Sequence, residues 1–263
     1  LLVRPSHSLI KQSMHADESK FIVNGDGFGM SWHVDFDPEP ALFKTLRPAW
    51  NDPNLTDIAC KTKTHCLNAH IRAATSGNVS FNNSHPFRFK QYSMMHNGSI
   101  QHFDTIKRHL QHQLTDTAYN WIGGQTDTEH FFAVLIDRLL QYENKSTDSQ
   151  VMIQCLQDSI MHVNQLLEQQ SITPHITLNT IITDGNFLVA TRYASPEVDP
   201  PSLHYITGSG YECIEEQYHI HQRHSTPSMI IVASEILSEQ GQTWVTVPPN
   251  HALQVNRGQT PTI

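Results

Sequence analysis

The chain has 263 residues, a mass of 29.9 kDa, a formal net charge of −8 and an isoelectric point near 6.1. Its basic residues are few and scattered, which argues against a nucleic-acid phosphate partner, and 38% hydrophobic with 16% charged residues suits a soluble globular protein. The longest unbroken apolar run, Phe131–Ile136, is far too short to cross a bilayer, no signal-peptide pattern opens the chain, and four cysteines without a CxxC pair describe no disulfide scaffold. The expectation is a cytoplasmic protein with no membrane partner.

In chain order, Leu1–Ser13 reads as a short helix with Leu2, Leu9 and Ile10 on its apolar side. Asn24-Gly-Asp-Gly-Phe-Gly29 is turn chemistry leading into a strand at Phe28–Val34. It lacks the Lys-Ser/Thr of a phosphate loop, so its glycines speak for tight turning and close backbone approach. Asp35–Pro40 and Pro48–Pro53 read as loops, Leu55–Lys63 as a helix and Cys66–Ile71 as a strand. Gly77–Asn83 is a polar loop closed by His85-Pro-Phe87. The next strand, Tyr92–Met95, ends at His96-Asn97-Gly98.

Phe103, Ile106, Leu110 and Leu114 recur at helical spacing and predict an amphipathic helix over Asp104–Leu114. Thr126-x-x-Glu129 is a capping box opening a helix through Gln141. Met152, Cys155, Leu156, Ser159, Val163, Leu166 and Leu167 form one stripe of a third helix. After Pro174 the period becomes that of strands. Ile176–Thr183 and Phe187–Tyr193 flank Asp184-Gly185, a hairpin signal, and Leu203–Thr207, Met229–Ala233, Trp244–Val247 and Leu253–Val255 follow. Composition marks no internal boundary, so one domain over residues 1–257 with a frayed tail at 258–263 is predicted. Hairpin rather than βαβ connections indicate α+β with antiparallel sheets.

The chemistry concentrates where strands end. Arg72 offers a fork of donors suited to a carboxylate, with Thr75 beside it. Asn97 and Gly98 pair a side-chain amide with a backbone N–H, a combination that holds an oxyanion, although Asn-Gly also makes ordinary turns. Asp127 stands at a helix start, where an acid complements the dipole and can still face an ammonium. His85 and His96 read as structural. On a strand, His219 and His221 share one face near His224, but an exposed strand end and turn explain them, and no metal is assigned.

Arg72-Ala-Ala-Thr, His96-Asn-Gly and Thr126-Asp-Thr-Glu stand in the order and at about the spacing of the class II, N-terminal-nucleophile glutamine amidotransferases, which the chain resembles. Pro5-Ser-His-Ser-Leu-Ile-Lys-Gln-Ser13, the Asn24–Gly29 turn, Pro48-Ala-Trp-Asn51, Val232-Ala-Ser-Glu235 and Trp244-Val-Thr-Val-Pro248 resemble the stand-alone branch acting on γ-glutamyl compounds in glutathione degradation and ergothioneine synthesis. The resemblance implies an Ntn-hydrolase four-layer αββα sandwich with two stacked antiparallel sheets. It also implies a small-molecule γ-glutamyl substrate and no cofactor, in a free-standing enzyme or one working with a partner enzyme. Arg72 and Thr75 would bind the substrate carboxylate, Asp127 its ammonium, and Asn97 with Gly98 the oxyanion.

The family nucleophile is an N-terminal cysteine whose own α-amine serves as base; both groups titrate near pH 8. This sequence begins Leu1-Leu-Val-Arg, and Cys60, Cys66, Cys155 and Cys213 carry no free α-amine. Cys60 and Cys66 read as packed thiols. The expectation is that a first strand bearing the nucleophile is missing from the given chain, which alone would have no amidase activity. The competing expectation is a non-catalytic binder of glutamine or γ-glutamyl compounds.

Overall fold

Phe28, Met30 and Trp32 alternate with Gly29, Ser31 and His33, so a strand here has one apolar and one polar face. The computed structural model of the chain describes residues 2–18, 22–73, 77–142, 148–221, 227–237 and 243–263. Its first half holds α1 (Leu9–Met14), β1 (Phe28–Val34), β2 (Asp37–Thr45), α2 (Pro53–Lys61), β3 (Cys66–Ile71), β4 (Phe87–Phe89) and β5 (Tyr92–Ile100). Four helices follow: α3 (Phe103–His112), α4 (Asp116–Trp121), α5 (Asp127–Leu140) and α6 (Ser149–Gln169). The remainder is β6 (Ile176–Thr183), β7 (Phe187–Ala194), β8 (His204–Gly208), β9 (Gly210–Ile214), β10 (Gln217–His221), β11 (Met229–Ala233), β12 (Val245–Thr246) and β13 (His251–Asn256).

The first sheet has the order β2-β1-β3, antiparallel throughout. Residues 35–40, expected as a loop, instead turn only at Asp35-Phe36 before β2 begins. Pro38 and Pro40 are tolerated because β2 is an edge strand, where a missing N–H can face away from the ladder. Phe28 and Met30 pack with Leu9, Ile10, Leu55 and Ile58 of the covering helices. Helix α1 starts only at Leu9, where Ser8 caps it, although Leu2 joins the same cluster as expected. Helix α2 starts two residues early at Pro53, pre-set for a first helical position, with Asp52 accepting from the Asn54 N–H at 3.0 Å. Cys60, expected to be packed, is exposed on it.

The second sheet runs β13-β7-β6-β5-β4. Its outer face carries the main core, where Met94, Leu178, Ile182 and Val189 meet α3, α5 and α6. The run Phe131–Ile136 is buried all round, which is why α5 shows no polar face over those residues. The predicted stripe of α6 is buried at every position. Helix α4 was not foreseen; its Trp121 stands edge-on to Phe132 with ring centroids 5.2 Å apart. The Asp184-Gly185 hairpin forms as expected between β6 and β7.

The two sheets meet through polar side chains. Asn68 Nδ2 donates to Ser93 Oγ at 2.8 Å, Cys66 Sγ lies 3.5 Å from Thr183 Oγ1, and His70 Nε2 lies 3.0 Å from His85 Nδ1. Gly29 permits the approach: a Cβ there would sit 2.0 Å from the His85 carbonyl oxygen. Helices outside, two antiparallel sheets inside, make the four-layer αββα sandwich that the resemblance implied. A third sheet, β11-β8-β12, and the hairpin of β9 and β10 complete the chain. The tail does not fray from Arg257, because Gln254 and Thr262 exchange backbone hydrogen bonds at 2.7 and 2.9 Å.

Among the described residues, β3 pairs only with β1 and β11 only with β8. Both strands line one cleft of about 1420 Å³, with Met95, Asn97, Asn179 and Ile181 of the second sheet on another wall.

Candidate active site

Asn97-Gly98 is not a turn. Strand β5 continues to Ile100, with Asn97 opposite Asn179 and Gly98 opposite Leu178. Gly98 has φ of 149°, and a Cβ there would lie 2.1 Å from the Thr177 carbonyl oxygen and 2.7 Å from His96 Nε2, so only glycine fits. The Asn97 side chain is exposed in the cleft. Beyond it the strand end is held by side chains: Ser99 N–H donates to Thr177 Oγ1 at 3.0 Å and Ile100 N–H to Asp127 Oδ2 at 2.9 Å.

Asp127 is buried at the first position of α5. Its Oδ1 accepts from the Thr128 N–H at 2.8 Å, so both carboxylate oxygens serve the backbone. Thr126 caps the helix by accepting from the Glu129 N–H at 3.2 Å. The reciprocal arm of the predicted capping box is used differently. Glu129 accepts from the N–H groups of Gly123 and Gly124 at 3.0 and 2.7 Å. Burial raises its pKa, opposed by those two N–H groups and by Lys44.

Arg72 lies just past β3, buried, its backbone held by Gly27 and Asp26 and its Nη1 donating to the Asn78 carbonyl at 3.4 Å. Burial lowers its pKa and Asp26 opposes that, but guanidinium stays a cation. The loop that follows reaches α5. Asn83 Nδ2 donates to the same Asn78 carbonyl at 2.8 Å, while Asn83 Oδ1 accepts from the Gln125 N–H at 2.8 Å. Asn82 Nδ2 donates to the Gly123 carbonyl at 2.8 Å. In the sequence, these asparagines are marked only by two adjacent amides just before His85-Pro86.

His96 is buried, with Nδ1 2.8 Å from Thr128 Oγ1 and Nε2 3.1 Å from the Thr177 carbonyl. The carbonyl requires Nε2–H, so Nδ1 accepts from the threonine hydroxyl. Burial lowers the pKa of His96, and pushes that of His85 well down with help from His70. Neutral, hydrogen-bonded imidazoles match the structural reading of both.

The loop of residues 78–83 thus joins Arg72 to the Gln125 backbone, two residues before Asp127, and Asp127 is tied to β5 three residues beyond Asn97. Asn97 lines the large cleft, whereas Arg72 and Asp127 do not. Thr75 and His224 lie outside the described residues. His221 pairs with Glu212 at 3.0 Å, and among the described residues no three His, Cys, Asp or Glu side chains are grouped to hold a metal ion. Chemically, the set offers a fork for a carboxylate, an acid for an ammonium, and an exposed amide for developing negative charge.

Known proteins share both sequence and fold with this chain. A probable glutamine amidotransferase of Saccharomyces cerevisiae, DUG3, is 34% identical over 278 residues, covering 98% of this chain and 77% of that protein. The γ-glutamyl-hercynylcysteine sulfoxide hydrolase of Mycolicibacterium smegmatis is 29% identical over 104 residues, 38% of this chain and 44% of that one. A class-II glutamine aminotransferase domain protein from Silicibacter pomeroyi superposes with a TM-score of 0.65 at 24% identity, over 90% of each chain. The family model of the class-II glutamine amidotransferases matches residues 8–263, and the chain belongs to that family.

Proposed function

We propose that the protein hydrolyses the γ-glutamyl amide bond of glutamine or of a γ-glutamyl metabolite. The observation that carries this reading is one loop that contacts both Arg72 and the Gln125 backbone two residues before Asp127, beside the strand that presents Asn97. The names of the relatives, an amidotransferase and a γ-glutamyl hydrolase, support it.

Arg72 takes the substrate α-carboxylate, with Thr75 assisting, and Asp127 takes the α-ammonium. The nucleophile is the thiolate of an N-terminal cysteine, whose proton passes to its own α-amine. Attack on the γ-carbonyl forms a C–S bond and an oxyanion, which the Asn97 amide and the Gly98 N–H hold. The C–N bond then breaks, the amine leaves with the proton from the α-ammonium, and water hydrolyses the thioester to glutamate. The 263 residues open with Leu1 and supply no such cysteine at their first position. The clamp reads only the glutamyl half, so the amine is set elsewhere. The reaction is cytoplasmic, in a free-standing enzyme or beside a partner enzyme that uses the product.

The test is glutamate release from glutamine and γ-glutamyl peptides by protein expressed from its whole reading frame. Turnover is expected, together with a mass increment of one glutamyl group on acid quench. Saturable binding of the same compounds with neither glutamate nor an acyl-enzyme would refute hydrolysis and leave a binder.

A further inference from the structure

We infer that Asn83 is a positioning residue that fixes the distance between the carboxylate-binding and ammonium-binding halves of the clamp, an inference that rests on the proposed function. Asn83 is 3% exposed and lies in the loop between β3 and β4. Its amide faces two ways. Nδ2 donates to the Asn78 carbonyl at 2.8 Å, and the Arg72 guanidinium donates to that same oxygen at 3.4 Å. Oδ1 accepts from the Gln125 N–H at 2.8 Å, two residues before Asp127.

One planar group therefore spans from the carbonyl that orients Arg72 to the backbone that delivers Asp127. A carbonyl oxygen has two lone pairs, and here Asn83 and Arg72 use one each. Only a carboxamide of this length supplies a donor and an acceptor at that fixed separation; aspartate supplies acceptors alone. The substrate head presents its carboxylate and ammonium on one carbon, so the separation of Arg72 from Asp127 decides whether both are engaged at once. The staple selects α-amino-acid heads over longer ones.

The experiment uses Asn83→Asp, which keeps the acceptor for the Gln125 N–H and loses the donor to Asn78. Asn82→Ala removes the exposed neighbouring amide and serves as the control. Three substrates are compared: a γ-glutamyl anilide, its α-carboxamide and its N-acetyl derivative. For the parent anilide, KM should rise about tenfold in Asn83→Asp, the scale of one buried unmet hydrogen bond, with kcat changed less than about threefold. The N-acetyl compound, which engages the carboxylate half alone and so does not depend on the spacing, should suffer much less. The α-carboxamide, which gives Arg72 no carboxylate, should suffer almost none. Amide hydrogen exchange should quicken over residues 77–82 and stay unchanged over 123–127, and Asn82→Ala should change neither. Equal losses with all three substrates, or unaltered exchange over 77–82, would overturn the inference. Wild-type protein that cleaves none of the three would sink the amidase reading instead, and wild-type protein that cleaves all three alike would sink the clamp on which the inference rests. Hydrogen exchange, which needs no substrate, would then still decide whether Asn83 joins the two loops.

Discussion

Adjacent positions on β5 should separate chemistry from stability. The perturbations are Asn97→Ala and Gly98→Ala. The Asn97 amide is exposed in the cleft, so its removal should change unfolding free energy by no more than about 0.5 kcal/mol. As one oxyanion donor it should lower kcat by about 10²–10³, with a smaller change in KM. Gly98 is the opposite case. A methyl group there would stand 2.1 Å from the Thr177 carbonyl oxygen, where ordinary contact begins near 3.4 Å. The strands must part by more than 1 Å, and a φ of 149° is strained for any L side chain. Backbone strain of about 1–3 kcal/mol adds to the loosening of the Ser99 and Ile100 hydrogen bonds, about 1 kcal/mol each. The total is about 3–5 kcal/mol, a fall in Tm of roughly 10 °C for a chain of this size. Urea unfolding and glutamate release are measured on both variants. If Asn97→Ala loses stability like Gly98→Ala, its amide is a structural strut and the oxyanion argument fails. If Gly98→Ala is as stable as wild type, the close approach of β5 and β6 is wrong.

Arg72→Lys keeps the charge and loses the fork, so calorimetry with a γ-glutamyl peptide should show affinity weakened about tenfold; unchanged affinity removes Arg72 from the carboxylate role. Asp127→Asn should weaken binding more for substrates with a free α-amine than for N-acylated ones, and equal losses would reduce Asp127 to a brace for the Ile100 and Thr128 N–H groups. Glu215 and Glu216 both have positive φ, 51° and 63°, in the turn between β9 and β10. Replacing them with Asn-Gly should therefore raise unfolding free energy by about 1 kcal/mol, read by thermal melting, with turnover unaltered. His130 is fully buried, donating through Nδ1 to the Thr126 carbonyl and accepting at Nε2 from Gln111. Burial pushes its pKa from 6.5 to about 4. The unfolded chain therefore binds this proton first. Stability should be unaffected above pH 6.5 and fall by up to about 1.4 kcal/mol per pH unit from there to about 4. His130→Gln should flatten that limb in urea titrations by close to one proton.

The parts of the fold that were legible in the sequence are those where periodicity and burial coincide. Strands β1, β3, β6 and β11 and the stripe of α6 were read at or near their observed bounds, because each has its alternation or its helical repeat fixed by one buried face. Strand β2 was lost because Asp37-Pro-Glu-Pro reads as loop, and only its place at a sheet edge makes those prolines harmless. Strand β5 was ended too soon, because Asn-Gly is turn chemistry and nothing local says that the chain stays paired. Helix α4 is held by one buried alanine and an indole, too short for a period to register. At the site, Arg72, Asn97 and Asp127 were conspicuous from their motifs. Asn83 was not, since its partners Asn78 and Gln125 are backbone groups at sequence distances of 5 and 42 that no pattern links.

The polar seam between the sheets has a consequence for alignment. An oily interface holds two layers almost equally well at several offsets, because apolar contact has no direction. Here Asn68 must meet Ser93, Cys66 must meet Thr183 and His70 must meet His85, and sliding one sheet by a residue pair would break all three. The seam thus acts as a vernier, admitting a single setting of β3 against β5. Arg72 leaves the end of one strand and Asn97 sits on the other, so their relative height is fixed by these three contacts. The helical layers hold the sheets mainly by burial, with directional ties such as that of Asp127 to the Ile100 N–H, and away from those ties they can drift in sequence and angle without disturbing that height.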